Sequence, residues 1–170
     1  MPRLDYLLAS DDALIAQCEV DRYRASGPGG QHRNKTESAV RLRHRPTGVA
    51  ALGVESRSQI ENKRHAVRRL RVAIALEVRE PAVDNASDRV QWLISSGTAS
   101  FGPAMRRTGE FWAAMADLLD VLVDGNLEIG TTAHRLGITT GALSKLLLHD
   151  DQVGRAVNAW RRNRNMRPLR

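Results

Sequence analysis

Val40-Arg41-Leu42-Arg43-His44-Arg45-Pro46-Thr47-Gly48-Val49-Ala50-Ala51-Leu52-Gly53-Val54 decides the fold of the first half of the chain. Side chains alternate across a strand with a period of two, so Val40 and Leu42 fall on one face and Arg41, Arg43 and Arg45 on the other. Pro46 at the second position of a turn and Gly48 at the fourth fit a type I turn. Val49 to Val54 then supplies the returning strand, and the whole segment reads as an antiparallel hairpin. One of its faces must be buried; the arginine face is either solvated or turned toward a polyanion.

Upstream of the hairpin lies Gly27-Pro28-Gly29-Gly30-Gln31, followed by His32-Arg33-Asn34-Lys35. Three glycines in four residues make no packing element, because glycine brings no side chain to bury and has the most backbone freedom to lose on ordering. Such a loop lets main-chain N–H groups and the Gln31 amide approach a partner that a Cβ would hold away; a plain flexible turn is the alternative. Val20-Asp21-Arg22-Tyr23-Arg24-Ala25 alternates apolar with polar and fits a half-buried strand running into the loop. Further upstream, Ser10-Asp11-Asp12 starts a short helix, its acids set against the N-terminal dipole. Asn34 and Glu37 have the spacing of a capping box that ends the loop.

Downstream, Ser58 and Glu61 repeat that spacing and open a long amphipathic helix to about Glu80. Its apolar stripe is Ile60, Val67, Leu70, Ile74 and Val78, with Lys63, Arg64, Arg68, Arg69 and Arg71 mostly off it. Residues 1–80 therefore form an α+β domain, a small antiparallel or mixed sheet packed on one long helix. Residues 81–89 read as a linker. Residues 90–160 form a small all-α module: a segment around Trp92-Leu93-Ile94, a helix from about Glu110 to Val123 stopped by Gly125-Asn126, and a last helix through Val153, Val157 and Trp160. Between them, Thr131 to Leu146 has a helix-turn-helix pattern, with Ala133 and Leu136, then Gly137, then Leu143 and Leu146. Residues 161–170 are a basic tail.

Charge is segregated along the chain. The 170 residues carry 26 Lys plus Arg against 19 Asp plus Glu, a net charge of +7, with ordinary hydrophobic content at 42%. Residues 22–79 hold 14 basic and 4 acidic side chains, residues 80–154 hold 5 and 10, and the last sixteen add six arginines and no acid. Nearly all the cations are arginine, whose planar fork makes paired hydrogen bonds to phosphate. A localised basic patch of this kind favours a polyanion partner.

Several classes are disfavoured. A dinucleotide fingerprint needs glycine where His32 stands, and no Gly-Lys-Ser/Thr closes a Walker loop. Cys18 is the only cysteine, so a disulfide framework is impossible, and the five histidines have no ligand spacing; we expect no metal and no cofactor. No stretch has the roughly 20 apolar residues of a membrane span, and the N-terminus lacks an apolar signal core. The expectation is a cytoplasmic protein, monomeric and off the membrane.

The run from Arg24 to Leu42 resembles the catalytic domain of class I peptide-chain release factors and of the codon-independent ribosome-rescue peptidyl-tRNA hydrolases. The likeness is carried by Arg24, Ala25, Ser26, Gly27, Gly29, Gly30, Gln31, His32, Asn34, Thr36, Glu37, Ser38, Ala39, Val40, Arg41 and Leu42. Pro46-Thr47-Gly48 and the helix start Arg57-Ser58-Gln59…Asn62-Lys63 are similar too, and the likeness extends over about residues 18–79. Where the family usually has Val or Ile, this chain has Arg33. The resemblance implies hydrolysis of the ester joining a nascent peptide to the terminal ribose of P-site tRNA, with Gly29, Gly30 and Gln31 at the catalytic tip and Gln31 a candidate for amide methylation by a glutamine methyltransferase. The ribosome, its rRNA and peptidyl-tRNA would be the partners. Arg24, His32, Arg33, Asn34, Lys35, Arg41, Arg43, Arg45, Lys63, Arg64 and Arg68 are then candidate RNA contacts. Arg161, Arg162 and Arg164 join them if the tail occupies an empty mRNA channel, as such tails do in rescue hydrolases. Neither Ser-Pro-Phe nor Pro-x-Thr, the codon-reading tripeptides, occurs in the sequence, so stop-codon recognition is not expected. A non-catalytic ribosome-binding protein and a helix-turn-helix DNA regulator remain the alternatives.

Overall fold

A computed structural model describes residues 2–23, 38–82 and 87–170 of the chain. These divide into two units, Met1–Val78 and Arg79–Arg170. The fold class is α+β, with a three-stranded antiparallel sheet in the first unit and helices alone in the second.

In the first unit, β1 (Cys18–Tyr23), β2 (Ala39–His44) and β3 (Ala50–Gly53) lie in chain order across the sheet. The hairpin forms as expected, but its turn is wider than a simple type I turn. Gly48 N–H donates to the His44 carbonyl at 2.8 Å, and Gly48 sits at φ +74°, which glycine adopts without a Cβ penalty. Val40 and Leu42 are buried and Arg41 and Arg43 exposed, as the alternation requires. β1 departs from the half-buried expectation: Val20 is 39% exposed, because the long helix that covers the sheet packs on β2 and β3.

Helix α3 (Gln59–Glu77) packs on β2 and β3. Ser58 caps it, its Oγ accepting from Glu61 N–H at 3.4 Å, whereas the Glu61 carboxylate accepts from Ser56 Oγ instead of closing the reciprocal box. Val67, Leu70 and Ile74 are buried as expected. Ile60 is not: it is 68% exposed, and Asn62 takes the buried position of the first turn. Arg71, expected off the apolar stripe, is also buried. Its guanidinium donates to the carbonyls of Leu7 and Ala9 and pairs with Asp11 at 2.6 Å, tying α1 (Arg3–Leu8) and α2 (Asp11–Ala16) to α3. Ser10 caps α2 as its sequence predicts.

His44 is fully buried on β2, edge-on to Tyr6 at 4.6 Å, with Nδ1 2.8 Å from Thr47 Oγ1. Burial, helped by the Arg45 cation, pushes its pKa below the usual imidazole value of 6.5. The folded state thus holds His44 neutral, while the unfolded chain takes up a proton once pH drops below about 6.5. Stability from this group is present above that pH and lost as pH falls toward the folded pKa, by about 1.4 kcal/mol per pH unit. Urea titrations at stepped pH should show this loss in the first unit, and His44→Gln should flatten the slope whatever its absolute stability.

The second unit is built around α5 (Gly109–Asp124), 11 of whose 16 residues are buried. A helix buried on most of its circumference belongs at the centre of a core. Phe101, Leu93, Leu143, Leu147, Val153 and Val157 are buried in the same unit. The chain enters it at Arg79, which pairs with buried Asp120 at 2.9 Å, and α4 (Asp88–Ser96) starts within the stretch that reads as a linker. Helices α6 (Ile129–Arg135) and α7 (Thr140–Leu148) pack together as the helix-turn-helix, and Ala133, Leu136, Leu143 and Leu146 are buried. Helix α8 (Asp151–Asn163) completes the unit's helices.

Candidate functional site

The glycine loop leaves the sheet after Tyr23 and returns at Ser38. Gly29, Gly30 and Gln31, together with Arg24, His32, Arg33, Asn34 and Lys35 and the Asn34–Glu37 cap, lie outside the described residues. The structure defines the mount on which they sit. Tyr23 pairs with Ala39 and Arg22 with Val40, so the two stems are neighbours in one sheet. Ser38, the first described residue past the loop, gives its carbonyl to Asn62 Nδ2 at 2.7 Å. The same Nδ2 donates to Ser56 O at 2.8 Å, and Asn62 Oδ1 accepts from Ser56 N–H at 2.9 Å. With two carbonyls on one side and an N–H on the other, the amide can point only one way. Asn62 is not among the site residues that the sequence suggests. Its signal is nonetheless present in the spacing: extending the buried series 74, 70, 66 back by one turn lands on 62, not on Ile60.

The arginines on the outer sheet face are not the uniform basic surface that the strand alone suggests. In register, Asp21 faces Arg41 and Glu19 faces Arg43. Arg41 donates from Nε and Nη2 to Asp21 Oδ2 at 2.9 and 2.7 Å, and the bonds to Asp21 raise its pKa. Arg45 is exposed but gives Nη2 to the Ala16 carbonyl at 2.7 Å. Arg41, Arg43 and Arg45 are therefore a balanced face with some of its cations already engaged. Arg64 and Arg68, by contrast, are exposed one turn apart on α3, in line with exposed Ile60 and with no partner among the described residues; Lys63 beside them is half-buried. Exposed Arg57 precedes the helix. This row on α3 is a basic surface of the first unit among the described residues.

At the C-terminus the expectation needs correcting. Arg161 is 9% exposed; it donates to the Leu127 carbonyl and, from Nε, to the Arg167 carbonyl at 2.8 Å. It is an internal strut, unsuited to RNA contact. Residues 164–170 are not a free tail either, since Asn158 bonds both the carbonyl and the N–H of Leu169, at 3.3 and 2.7 Å. Arg162 and Arg164 are exposed. Among the described residues, no three His, Cys, Asp or Glu side chains gather to hold a metal ion, and no helix is long and apolar enough to cross a membrane. Cys18 is buried, and burial pushes its thiol pKa up, away from the reactive thiolate.

Comparison with known proteins matches residues 14–110 to the RF-1 domain. The chain is 46% identical over 144 residues to peptide chain release factor 1 of Leptospira biflexa, covering 82% of this chain and 38% of that protein. It is 36% identical over 160 residues to peptide chain release factor 1 of Geobacter sulfurreducens, covering 94% and 39%. Against the protein of the same name from Malacoplasma penetrans it is 46% identical over 79 residues, 46% of this chain and 22% of the relative. The chain thus spans well under half the length of these relatives.

Proposed function

The chain belongs to the RF-1 domain family, that of the class I release-factor catalytic domain, and on that footing we propose that it is a peptidyl-tRNA hydrolase acting on the ribosome without reading a stop codon. The observation that carries this is the Arg24–Leu42 run, inside the segment that matches the family. The reaction is attack of water on the carbonyl of the ester linking the nascent peptide to the terminal ribose. The ribose oxygen leaves with one proton of the water, and the peptide departs as a carboxylate, its other proton passing to solvent. Charge develops on the carbonyl oxygen in the transition state, and the backbone N–H of Gln31 can stabilise it if no side chain holds the loop away. Gly29 and Gly30 meet that condition, while the Gln31 side chain shapes the space for water and its amide nitrogen is the candidate methyl acceptor. No protein general base is required, since a hydroxyl of the tRNA can relay the proton.

Arg64 and Arg68 on α3, with Lys63, are the residues we assign to ribosomal RNA. The codon-independent form of the reading draws on the codon-reading tripeptides Ser-Pro-Phe and Pro-x-Thr not occurring in this sequence. The protein would act in the cytoplasm, as a monomer and without a cofactor. The departure at Arg33, a cation where the family has an apolar residue, favours one rival, a ribosome-binding protein that no longer hydrolyses.

Stalled ribosomes carrying labelled peptidyl-tRNA separate the two. Wild type should release peptide with the A site empty, and adding a stop codon should not raise the rate. Gly30→Ala should lower release about a hundredfold, the size of losing one oxyanion donor. Gln31→Ala should cost less, because the backbone N–H stays. Absence of release by wild type at ribosome-saturating concentration would sink the hydrolase reading.

A further inference from the structure

We propose that the C-terminal end of the second unit is a preformed docking surface for the phosphate backbone of double-helical RNA. After α8 the chain reverses at Asn165, which adopts the left-handed conformation at φ +58°. The N–H groups of Arg164 and Met166 both return to the Arg161 carbonyl, at 3.0 and 2.9 Å, the kind of helix stop that asparagine supports. The chain then runs back along the helix, held by Arg161 on the Arg167 carbonyl and by the two Asn158–Leu169 bonds.

The placement of this clip sets the charge. Arg155, Asn158 and Arg162 are spaced three and four apart and so share one face of α8, with the two arginines about 10 Å apart along the axis. The returning segment lies on that face at Asn158. Arg167 and Arg170, both exposed, flank this attachment, and Arg155, Arg162 and Arg164 are exposed on or just past the same helix. Arg170 also lines an open groove of about 580 Å³ with Thr140, Ser144, Lys145 and His149 along α7. Two acids precede this cluster, both at the start of α8. Asp150 is buried, caps the helix and pairs with Arg106 at 3.4 Å; Asp151 is exposed at the opposite end from Arg162. No acid follows Asp151 in the sequence.

Guanidinium groups and short hydroxyls are phosphate-binding chemistry. The deep, narrow major groove of an RNA duplex keeps side chains from its base edges, so the contact would follow the backbone and ignore the sequence. Holding the arginines on a folded clip lowers the ordering cost that a loose basic tail incurs on binding. The inference rests on the proposed function only in naming RNA, not DNA, as the polyanion.

The test uses the full chain and a labelled RNA duplex of about 20 base pairs, longer than one module's footprint, with a DNA duplex of the same sequence as competitor and fluorescence anisotropy over a salt series. Arg162→Glu with Arg167→Glu should weaken RNA binding at least about tenfold and lower the log–log salt slope by about two. Asn158→Ala keeps every charge but opens the clip, and should weaken binding about threefold or more at the same salt. Circular dichroism confirms that the helices remain. Arg64→Glu with Arg68→Glu should weaken binding separately and additively. RNA affinity unchanged by the Arg162/Arg167 pair, affinity unchanged by Asn158→Ala, or a preference for the DNA duplex would each overturn the proposal. Because no peptide is hydrolysed in this assay, it can fail or succeed whatever the outcome of peptide release.

Discussion

Gly53→Ala should strongly destabilise the first unit while the second unit keeps its stability. A Cβ at this position would lie 1.9 Å from the Asn62 carbonyl oxygen, 2.7 Å from its carbon and 3.1 Å from the Ala66 nitrogen. All three are backbone atoms of α3, so no rotamer change relieves the overlap; the helix must move off β3. Overpacking among side chains usually costs about 1–3 kcal/mol. With backbone on both sides we expect about 4 kcal/mol, a large part of the roughly 5–15 kcal/mol that holds a typical domain. Hydrogen exchange resolved by peptide should show lost protection over β2, β3 and α3, with the α5 peptides unchanged. Wild-type protection in the first unit would mean that α3 sits farther from the sheet.

Much of the scaffold that Gly53 belongs to is legible from local rules. The β2 alternation, the Ser10 and Ser58 caps and the helix-turn-helix apolar positions all follow from periods and capping chemistry, which act over a few residues. What escapes the sequence is where each arginine goes. Arg71 and Arg161 look like their surface neighbours in any window, yet each is buried against carbonyls of chain segments distant in sequence: Leu7 and Ala9 for one, Leu127 for the other. Arg41 and Arg43 look like a basic stripe until the register with β1 places Asp21 and Glu19 opposite them. Strand register depends on the whole pairing and a local pattern does not fix it. The candidate catalytic tip is the reverse case. Its likeness to the family is plain in Gly29-Gly30-Gln31, while the description of the fold stops at its stems.

One of those stems gives the second large effect. Asn62→Ala should cost the first unit about 3–5 kcal/mol, because it strands the Ser38 and Ser56 carbonyls and the Ser56 N–H inside the protein, each at about 1–3 kcal/mol less whatever water recovers. Asn62→Asp is the sharper variant. It matches the shape and keeps the acceptor for Ser56 N–H, but turns the second oxygen toward two carbonyls that formerly received hydrogen bonds. A buried carboxylate so placed holds its proton, which raises its folded pKa above the unfolded value of about 3.9. Protonated, it can donate one of the two lost bonds. The stability difference between Asn62→Asp and wild type should therefore shrink as pH falls through the raised pKa and widen as pH rises through it. His44 weakens both proteins alike in acid and cancels in the difference. Paired urea titrations from neutral pH downward measure this directly, and a pH-independent gap would show that the amide at position 62 is not gripping the Ser38 stem. If the grip is real, peptide release by Asn62→Asp should recover at low pH in step with stability, relative to wild type, because the loop is then again held at its return to the sheet.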